Sequence, residues 1–218
     1  MIECSNLAFS YPNDPFGLSI PSLSISEGEK IAVTGPSGCG KTTLLNLICG
    51  LLSPDSGKVI VDGVDLTGYN DRDRQDFRIV KMGMIFQEFE LLEYLTLLDN
   101  VLLPFRINGV LNLSPDIVKR AKELCAQVGL ADMMHKRPKT LSQGERQRVA
   151  ICRALITDPP VLLCDEPTAN LDPENRDNIL DILFELSDKE NKSLVVVTHD
   201  QEVIQRFSRS IDIRDYRL

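Results

Sequence analysis

The chain has 218 residues, of which 43% are hydrophobic and 26% charged, the balance of a globular protein long enough to bury a sizeable core. With 24 basic against 32 acidic residues, a net charge of −8 and a pI near 4.9, it lacks the basic surplus of a nucleic-acid-binding surface, so no nucleic-acid partner is expected. No uncharged apolar stretch approaches the roughly 20 residues that span a bilayer, and the start Met1-Ile2-Glu3-Cys4 shows no signal-peptide pattern, which leads to the expectation of a cytoplasmic protein. The six cysteines, at positions 4, 39, 49, 125, 152 and 164, form no C-x-x-C pair and mostly sit in apolar runs, so buried thiols are expected before disulfides or zinc ligands. Without repeats or low-complexity linkers, residues 1–218 read as a single domain.

In chain order, residues 2–9 alternate as a strand does, and Ser10-Tyr11-Pro12-Asn13-Asp14-Pro15 forces a turn. Tyr11 has two readings, a ring stacked on a nucleotide base or a turn tyrosine packed on its neighbours. Residues 18–25 form a second strand, turned by Glu27-Gly28-Glu29 into the apolar run Lys30-Ile31-Ala32-Val33. Then comes Gly35-Pro36-Ser37-Gly38-Cys39-Gly40-Lys41-Thr42, which fits the phosphate loop G-x-x-x-x-G-K-[ST] between a strand and a helix. Glycines let successive backbone N–H groups close around phosphate oxygens, and the helix start adds the positive end of its dipole. Lys41 is placed to reach the β- and γ-phosphates, and the Thr42 hydroxyl to ligate Mg²⁺. Kinases, GTPases and motor ATPases share this loop, so it does not choose among them.

Leu44, Leu45, Leu47, Ile48 and Leu51 cover most of a helix surface and predict a buried helix, ended by Ser53-Pro54-Asp55-Ser56-Gly57. Residues 58–61 and 64–66 flank Asp62-Gly63 as a hairpin. A charged stretch over 71–78 precedes the apolar strand Met82-Gly83-Met84-Ile85-Phe86, ending at Gln87, a position equally suited to a surface loop residue. Residues 88–103 place acids among leucines, as in a face meeting another apolar element or in a core. In particular Phe89, Leu91, Leu92, Tyr94 and Leu95, rimmed by Glu88, Glu90 and Glu93, read as a groove for a partner helix carrying basic residues. Ser114-Pro115 caps a helix stopped by Gly129, and residues 88–140 read as a helical insertion.

In Leu141-Ser142-Gln143-Gly144-Glu145, Ser142 and Glu145 fit a capping box. That helix start presents Ser142 and the Gly144 amide, which serve an anion or the helix itself equally well. The strand Val161-Leu162-Leu163-Cys164 delivers Asp165 and Glu166. Two adjacent acids there need a cation, with Asp165 as Mg²⁺ ligand and Glu166 orienting and deprotonating a water. Asp172-Pro173 caps a helix with Ile179, Ile182, Leu183 and Leu186 on one face, and strand 193–197 ends at Thr198-His199-Asp200. His199 stands either at a γ-phosphate or at a helix start beside the capping Asp200, and His135 reads as a surface residue.

Taken together, the phosphate loop 35–42, Gln87, the signature Leu141-Ser142-Gln143-Gly144-Glu145, the strand 161–166, Asn170-Leu171-Asp172 and His199 resemble the nucleotide-binding subunit of ABC transporters over nearly the whole length. Phe86-Gln87-Glu88-Phe89 and Asp165-Glu166-Pro167-Thr168-Ala169-Asn170-Leu171-Asp172 resemble the branch with lipoprotein-release, macrolide-export and cell-division ATPases. Gln143 and Glu145 depart from the commonest signature, and Glu93 stands where many relatives have proline. The resemblance implies an α/β fold: a P-loop NTPase core with a mainly parallel sheet, an antiparallel β subdomain, and a helical subdomain over about 88–158. It implies ATP and Mg²⁺ as cofactors and a head-to-tail dimer with a second copy, binding two ATP between subunits. Nucleotide contacts fall on Tyr11 as adenine platform, on residues 35–42 with Thr43, and, toward the partner's ATP, on Ser142, Gly144 and Glu145. Lys41, Gln87, Glu166 and His199 take catalytic roles, and Thr42, Gln87 and Asp165 hold the metal. An integral membrane permease is expected against residues 88–101, with the chain peripheral on the inner face of the membrane. The alternatives are an ATP-driven regulator of a membrane complex, or a soluble relative acting on DNA or ribosomes, for which the long coiled coil or second cassette is missing.

Overall fold

The computed structural model describes residues 1–13 and 15–217; Asp14, within the turn expected at 10–15, lies outside the described residues. Alternation organises the first sheet. The strand β1 (Ile2–Ser10) buries Ile2, Cys4, Leu7 and Phe9, and β2 (Gly17–Ile25) buries Leu18, Ile20, Leu23 and Ile25. They run antiparallel with Ile2 opposite Ile25. After β3 (Lys30–Thr34) and the phosphate loop, helix α1 (Lys41–Ile48) buries Leu44, Leu45, Leu47 and Ile48. The helix is shorter than the apolar run predicts. Gly50 adopts φ 67° and ends it, which leaves Leu51 49% exposed outside the core. The hairpin of β4 (Ser56–Val61) and β5 (Val64–Asp65) turns at Asp62 and Gly63, both with positive φ (51° and 77°), the backbone that a two-residue turn demands. The antiparallel sheet has the order β2-β1-β4-β5.

The charged stretch at 71–78 is part of helix α2 (Asp71–Lys81), capped by Asn70, whose side chain accepts from the Asp73 N–H. It buries no residue completely, so no apolar stripe announces it in the sequence. Between β6 (Met82–Ile85) and β7 (Val161–Asp165) lie four helices: α3 (Leu97–Val101), α4 (Pro104–Ile107), α5 (Pro115–Gln127) and α6 (Gln143–Leu155). Ser114 caps α5 as expected. The chain closes with α7 (Pro173–Lys189), β8 (Ser193–Val197), α8 (Gln201–Ile204) and β9 (Arg209–Asp212).

The second sheet has the order β6-β7-β8-β3-β9 with every neighbouring pair parallel. Successive residues face opposite sides of a strand. Ala32, Leu162, Cys164, Leu194 and Val196 therefore join α3, α5, α6 and α7 in one core, while Ile31, Val33, Leu163, Val195 and Val197 join α1 and the antiparallel sheet in another. Coverage on both faces is what makes these strands nearly continuous apolar runs. All six cysteines are free and buried. The loops that follow β3, β6, β7 and β8, four adjacent strands, emerge side by side at the carboxyl edge of this sheet.

Candidate nucleotide site

The phosphate loop leaves β3 at Thr34 and enters α1 at Lys41. Gly40 has φ 106°, and a Cβ there would stand 2.5 Å from the Phe16 ring. At Gly38, with φ 75°, the backbone angle and not space demands glycine, because nothing lies within 4 Å of where a Cβ would point. The start of α1 has no side-chain cap and no acid in its first turn, so its amides are left to an external acceptor. Lys41, 6% exposed, folds back and donates from Nζ to the carbonyls of Gly35 (2.9 Å) and Pro36 (3.1 Å).

The ends of β7 and β8 converge on this loop. Thr42 Oγ1 donates to Asp165 Oδ2 at 2.8 Å. Lys41 Nζ stands 3.7 Å from Glu166 Oε1, and His199 Nδ1 lies 2.7 Å from Glu166 Oε2. Glu166 itself is held with φ 47°, its N–H donating to the Val197 carbonyl at 3.0 Å, a sparsely populated backbone for a non-glycine residue. Burial raises the Asp165 carboxyl above its ordinary range, and the neighbouring Glu166 charge raises it further, against the opposing pull of Thr42 and Lys41. Thr42 and Asp165 supply only hard oxygen donors, and the second carboxylate crowds them. That donor set and its unbalanced negative charge fit a hard divalent cation such as Mg²⁺.

A cleft of about 470 Å³ runs along the loop and is lined by Ser37, Gly38, Gly40, Lys41, Thr42, Thr43, Gln87, Asp165 and Glu166. Its far end is aromatic. Tyr11 packs edge-on against Phe9 at 4.8 Å and donates or accepts at Thr43 Oγ1 (3.2 Å), and Phe16 lies 5.9 Å from it. Tyr11 thus packs on its neighbours and at the same time lines the cleft, so the packed position does not take it away from a ligand there. Phe16 and Arg217 line the cleft too and were not singled out in the sequence. Arg217 arrives from the far end of the chain through a bridge to Leu18, a neighbourhood that no local pattern encodes. Gly35, Pro36 and Cys39 complete the loop without lining the cleft, Cys39 being buried beneath it.

Ser142, Gly144 and Glu145 do not reach this cleft. Both halves of the expected capping box are present: Glu145 N–H donates to Ser142 Oγ (3.3 Å), and Ser142 N–H donates to Glu145 Oε2 (2.6 Å). The Ser142 N–H holds the Glu145 carboxyl below the usual range, so within this chain Glu145 is engaged by its own helix. Gly144 is buried, and a Cβ on it would stand 2.8 Å from Asn175 Oδ1. His135 is exposed, as expected. Phe89, Leu91, Leu92, Tyr94 and Leu95, the residues expected to receive a partner helix, stand beside a groove that they do not themselves line. Of those residues and their acidic rim, only Glu90 lines the nearby groove of about 300 Å³, whose walls are Ile79, Met84, Phe86, Leu103, Pro104 and Ile107, with Arg153. Leu92 is instead tied to buried Asn100, whose Oδ1 accepts from the Leu92 N–H (2.8 Å) and whose Nδ2 donates to its carbonyl (3.1 Å).

A family model described as ABC transporter matches residues 18–169. The chain is 42% identical over 220 residues to methionine import ATP-binding protein MetN 2 of Pseudomonas entomophila, covering 99% of this chain and 64% of that protein. It is 43% identical over 198 residues to MetN 1 of Pseudomonas putida, covering 91% of this chain and 58% of that one; the chain thus spans about three fifths of these relatives' length. The fold superposes with a TM-score of 0.87 on the ATP-binding cassette MJ0796 in a dimeric post-hydrolysis state bound to ADP and Pi, at 34% identity, covering 98% of this chain and 95% of that one. With the matched region taking in the phosphate loop, the signature and the paired acids at the end of β7, the chain belongs to the ABC transporter family.

Proposed function

We propose that this chain binds and hydrolyses ATP as the nucleotide-binding subunit of an ABC transporter, acting as one domain in which residues 88–158 form the helical part. The observation that carries this reading is the meeting of Lys41, Thr42, Asp165 and Glu166 in one cleft, with His199 set against Glu166. The loop amides and Lys41 neutralise the phosphates, and Tyr11 carries the base. Thr42 and Asp165, with Gln87 at the rim, would hold Mg²⁺, which would supply charge neutralisation at the transferring phosphoryl group. Glu166, held between Lys41 and His199, takes the proton of the attacking water, and His199 keeps that carboxylate aimed and contacts the γ-phosphate. Replacing Glu166→Gln keeps the shape and removes the base, so we expect ATP binding within two-fold of wild type and turnover down by about 10²-fold or more. Turnover near wild type would refute the role of Glu166.

The second half of the site comes from another copy. Ser142 and Gly144 start a helix whose N-terminus lies outside this chain's own cleft, and the dimeric MJ0796 cassette bound to ADP and Pi supports a sandwich in which they close on the partner's nucleotide. Glu145 serves that closure by holding Ser142. Among the described residues no helix is long and apolar enough to cross a membrane, which supports a separate permease, with this chain peripheral on the cytoplasmic face. The groove beside Glu90 accepts a short helix of that permease, and Gln87 and Phe86 join groove to cleft. Ile107 is 65% exposed at its rim. Ile107→Asp should abolish co-purification of the membrane partner and leave the melting temperature and basal ATP turnover unchanged; an intact complex would refute the groove.

A further inference from the structure

His199 is 58% exposed and sits on the short connection between β8 and the four-residue helix α8, so its ring needs more than its own packing to stay on Glu166. One arginine supplies the missing anchor. Arg176, in the first turn of α7, is only 14% exposed at its side chain, and three acids converge on it. Its Nε donates to Asp177 (3.0 Å), one terminal nitrogen stands 3.4 Å from Asp200 Oδ2, and the other 2.5 Å from Glu202 Oε2. Asp200, the residue after His199, caps α8 through its other carboxylate oxygen, which accepts from the Glu202 N–H at 2.9 Å. The guanidinium thus grips the cap and the first turn of α8 at once, as a planar fork with several donors can and an ammonium cannot.

The other end of this clamp is equally fixed. The Arg176 N–H donates to the Asp172 carbonyl at 2.8 Å, and Asp172 caps α7 by accepting from the Asn175 N–H at 3.1 Å. Asp172 closes the loop that runs from Glu166 through Asn170. Both chain segments that leave the catalytic carboxylate's neighbourhood are therefore joined by one side chain. An isolated exposed ion pair contributes little, but a shielded guanidinium shared by three carboxylates on two elements restricts their relative motion.

We propose that Arg176 is a positioning residue for hydrolysis: by locking the start of α8 to the start of α7 it fixes the backbone that presents His199 to Glu166. The proposal rests on the reading of His199 and Glu166 given above. A displacement of about 1 Å at a reacting group costs up to 10²-fold in rate, so loss of the clamp acts on kcat and leaves nucleotide binding alone.

The test is steady-state ATP turnover and melting temperature for wild type, Arg176→Met, Arg176→Lys, Glu202→Gln, His199→Ala and the Arg176→Met/His199→Ala pair. We expect Arg176→Met to lower kcat about ten-fold with KM within two-fold, Arg176→Lys to recover part of the loss, and Glu202→Gln to lower kcat two- to three-fold. Once His199 is gone the clamp has nothing to position, so the double variant should turn over no more slowly than His199→Ala. An impaired His199→Ala beside an unimpaired Arg176→Met overturns the clamp alone, as do losses that multiply in the pair. A His199→Ala protein hydrolysing at the wild-type rate overturns the reading of His199 itself and the clamp with it. Should Arg176→Met melt far below wild type, Glu202→Gln decides: wild-type kcat in that variant overturns the clamp, and a two- to three-fold loss at unchanged melting temperature supports it.

Discussion

Two helices in this molecule begin where an anion could be held, and they are built in opposite ways. At α1 the N-cap is Gly40, no side chain accepts from the first amides, and no acid occupies the first turn. At α6 the start is closed by the Ser142–Glu145 box, with an acid in the first turn. The first end is left open by its own chain and faces a cleft with a lysine and paired carboxylates. The second is satisfied internally, lies outside that cleft, and keeps the Ser142 hydroxyl hydrogen without an acceptor among the described residues. An open helix end must be preorganised by glycine angles and buried lysine, because nothing else holds it in the absence of ligand. A capped end is stable alone and can wait for a ligand brought by another molecule. That contrast is the physical basis for reading α1 as the primary site and α6 as the lid of a partner's site.

The sharpest way to break the comparison is at α1. Lys41→Ala removes the one side-chain cation that the loop folds over, and ATP turnover should fall by about 10²-fold or more, since charge neutralisation at the phosphates dominates such reactions. A turnover assay checks it, and near-normal rates would remove α1 from the chemistry. At α6 the expectation differs in kind. Ser142→Arg should leave nucleotide affinity of the single chain within about two-fold, measured by titration with a fluorescent ATP analogue, while multiple-turnover hydrolysis falls about ten-fold or more because the partner's site cannot close. Equal loss of single-chain affinity would make the two helix starts parts of one site and end the distinction.

The smallest effect is on the box. Glu145→Ala should cost about 0.5–1 kcal/mol in thermal or denaturant unfolding at pH 7. The Glu145 carboxyl is held below the usual range by the Ser142 N–H, with Arg148 and Lys136 nearby. A lowered folded pKa gives stability that is present above the unfolded value near 4.3 and is lost as pH falls through the folded value. The difference between wild type and Glu145→Ala should therefore shrink below about pH 4. A difference that stays constant from pH 7 to pH 3 would detach Glu145 from the cap.

The same contrast shows what was legible in the sequence. Signals confined to a few residues survived folding unchanged: the Asp62-Gly63 turn, the Ser114 and Ser142 caps, and the order of motif residues at the strand ends. Helix α2 was hidden because it has no fully buried stripe; Phe77 packs only partly against the core, and the rest of the helix carries the Asn70 cap and charged side chains such as Lys81, paired with Asp62 at 2.8 Å. The groove beside Glu90 is not legible in any one stretch because its walls come from α2, β6 and α4; in the leucine-rich stretch before α3, it is the Leu92 backbone that is tied to buried Asn100. Arg217 reaches the cleft only through a pairing across the length of the chain, to Leu18, and Phe16 through its packing beside Tyr11 and Gly40, neither of which a local pattern shows. Tyr11, Gln87 and His199 each have a plain alternative in the sequence; that Tyr11 and Gln87 share one cleft and that His199 stands on Glu166 is visible only in the folded chain.

The central claim is that each nucleotide is held between the α1 end of one chain and the α6 end of another. It is tested most directly by the sedimentation mass of Glu166→Gln with and without saturating ATP and Mg²⁺. The account predicts the 24.4 kDa of a single chain without nucleotide, and twice that mass with it, carrying two ATP per pair and returning to the single-chain mass when Ser142→Arg is added. A Glu166→Gln protein that binds ATP fully and still sediments as one chain would contradict it.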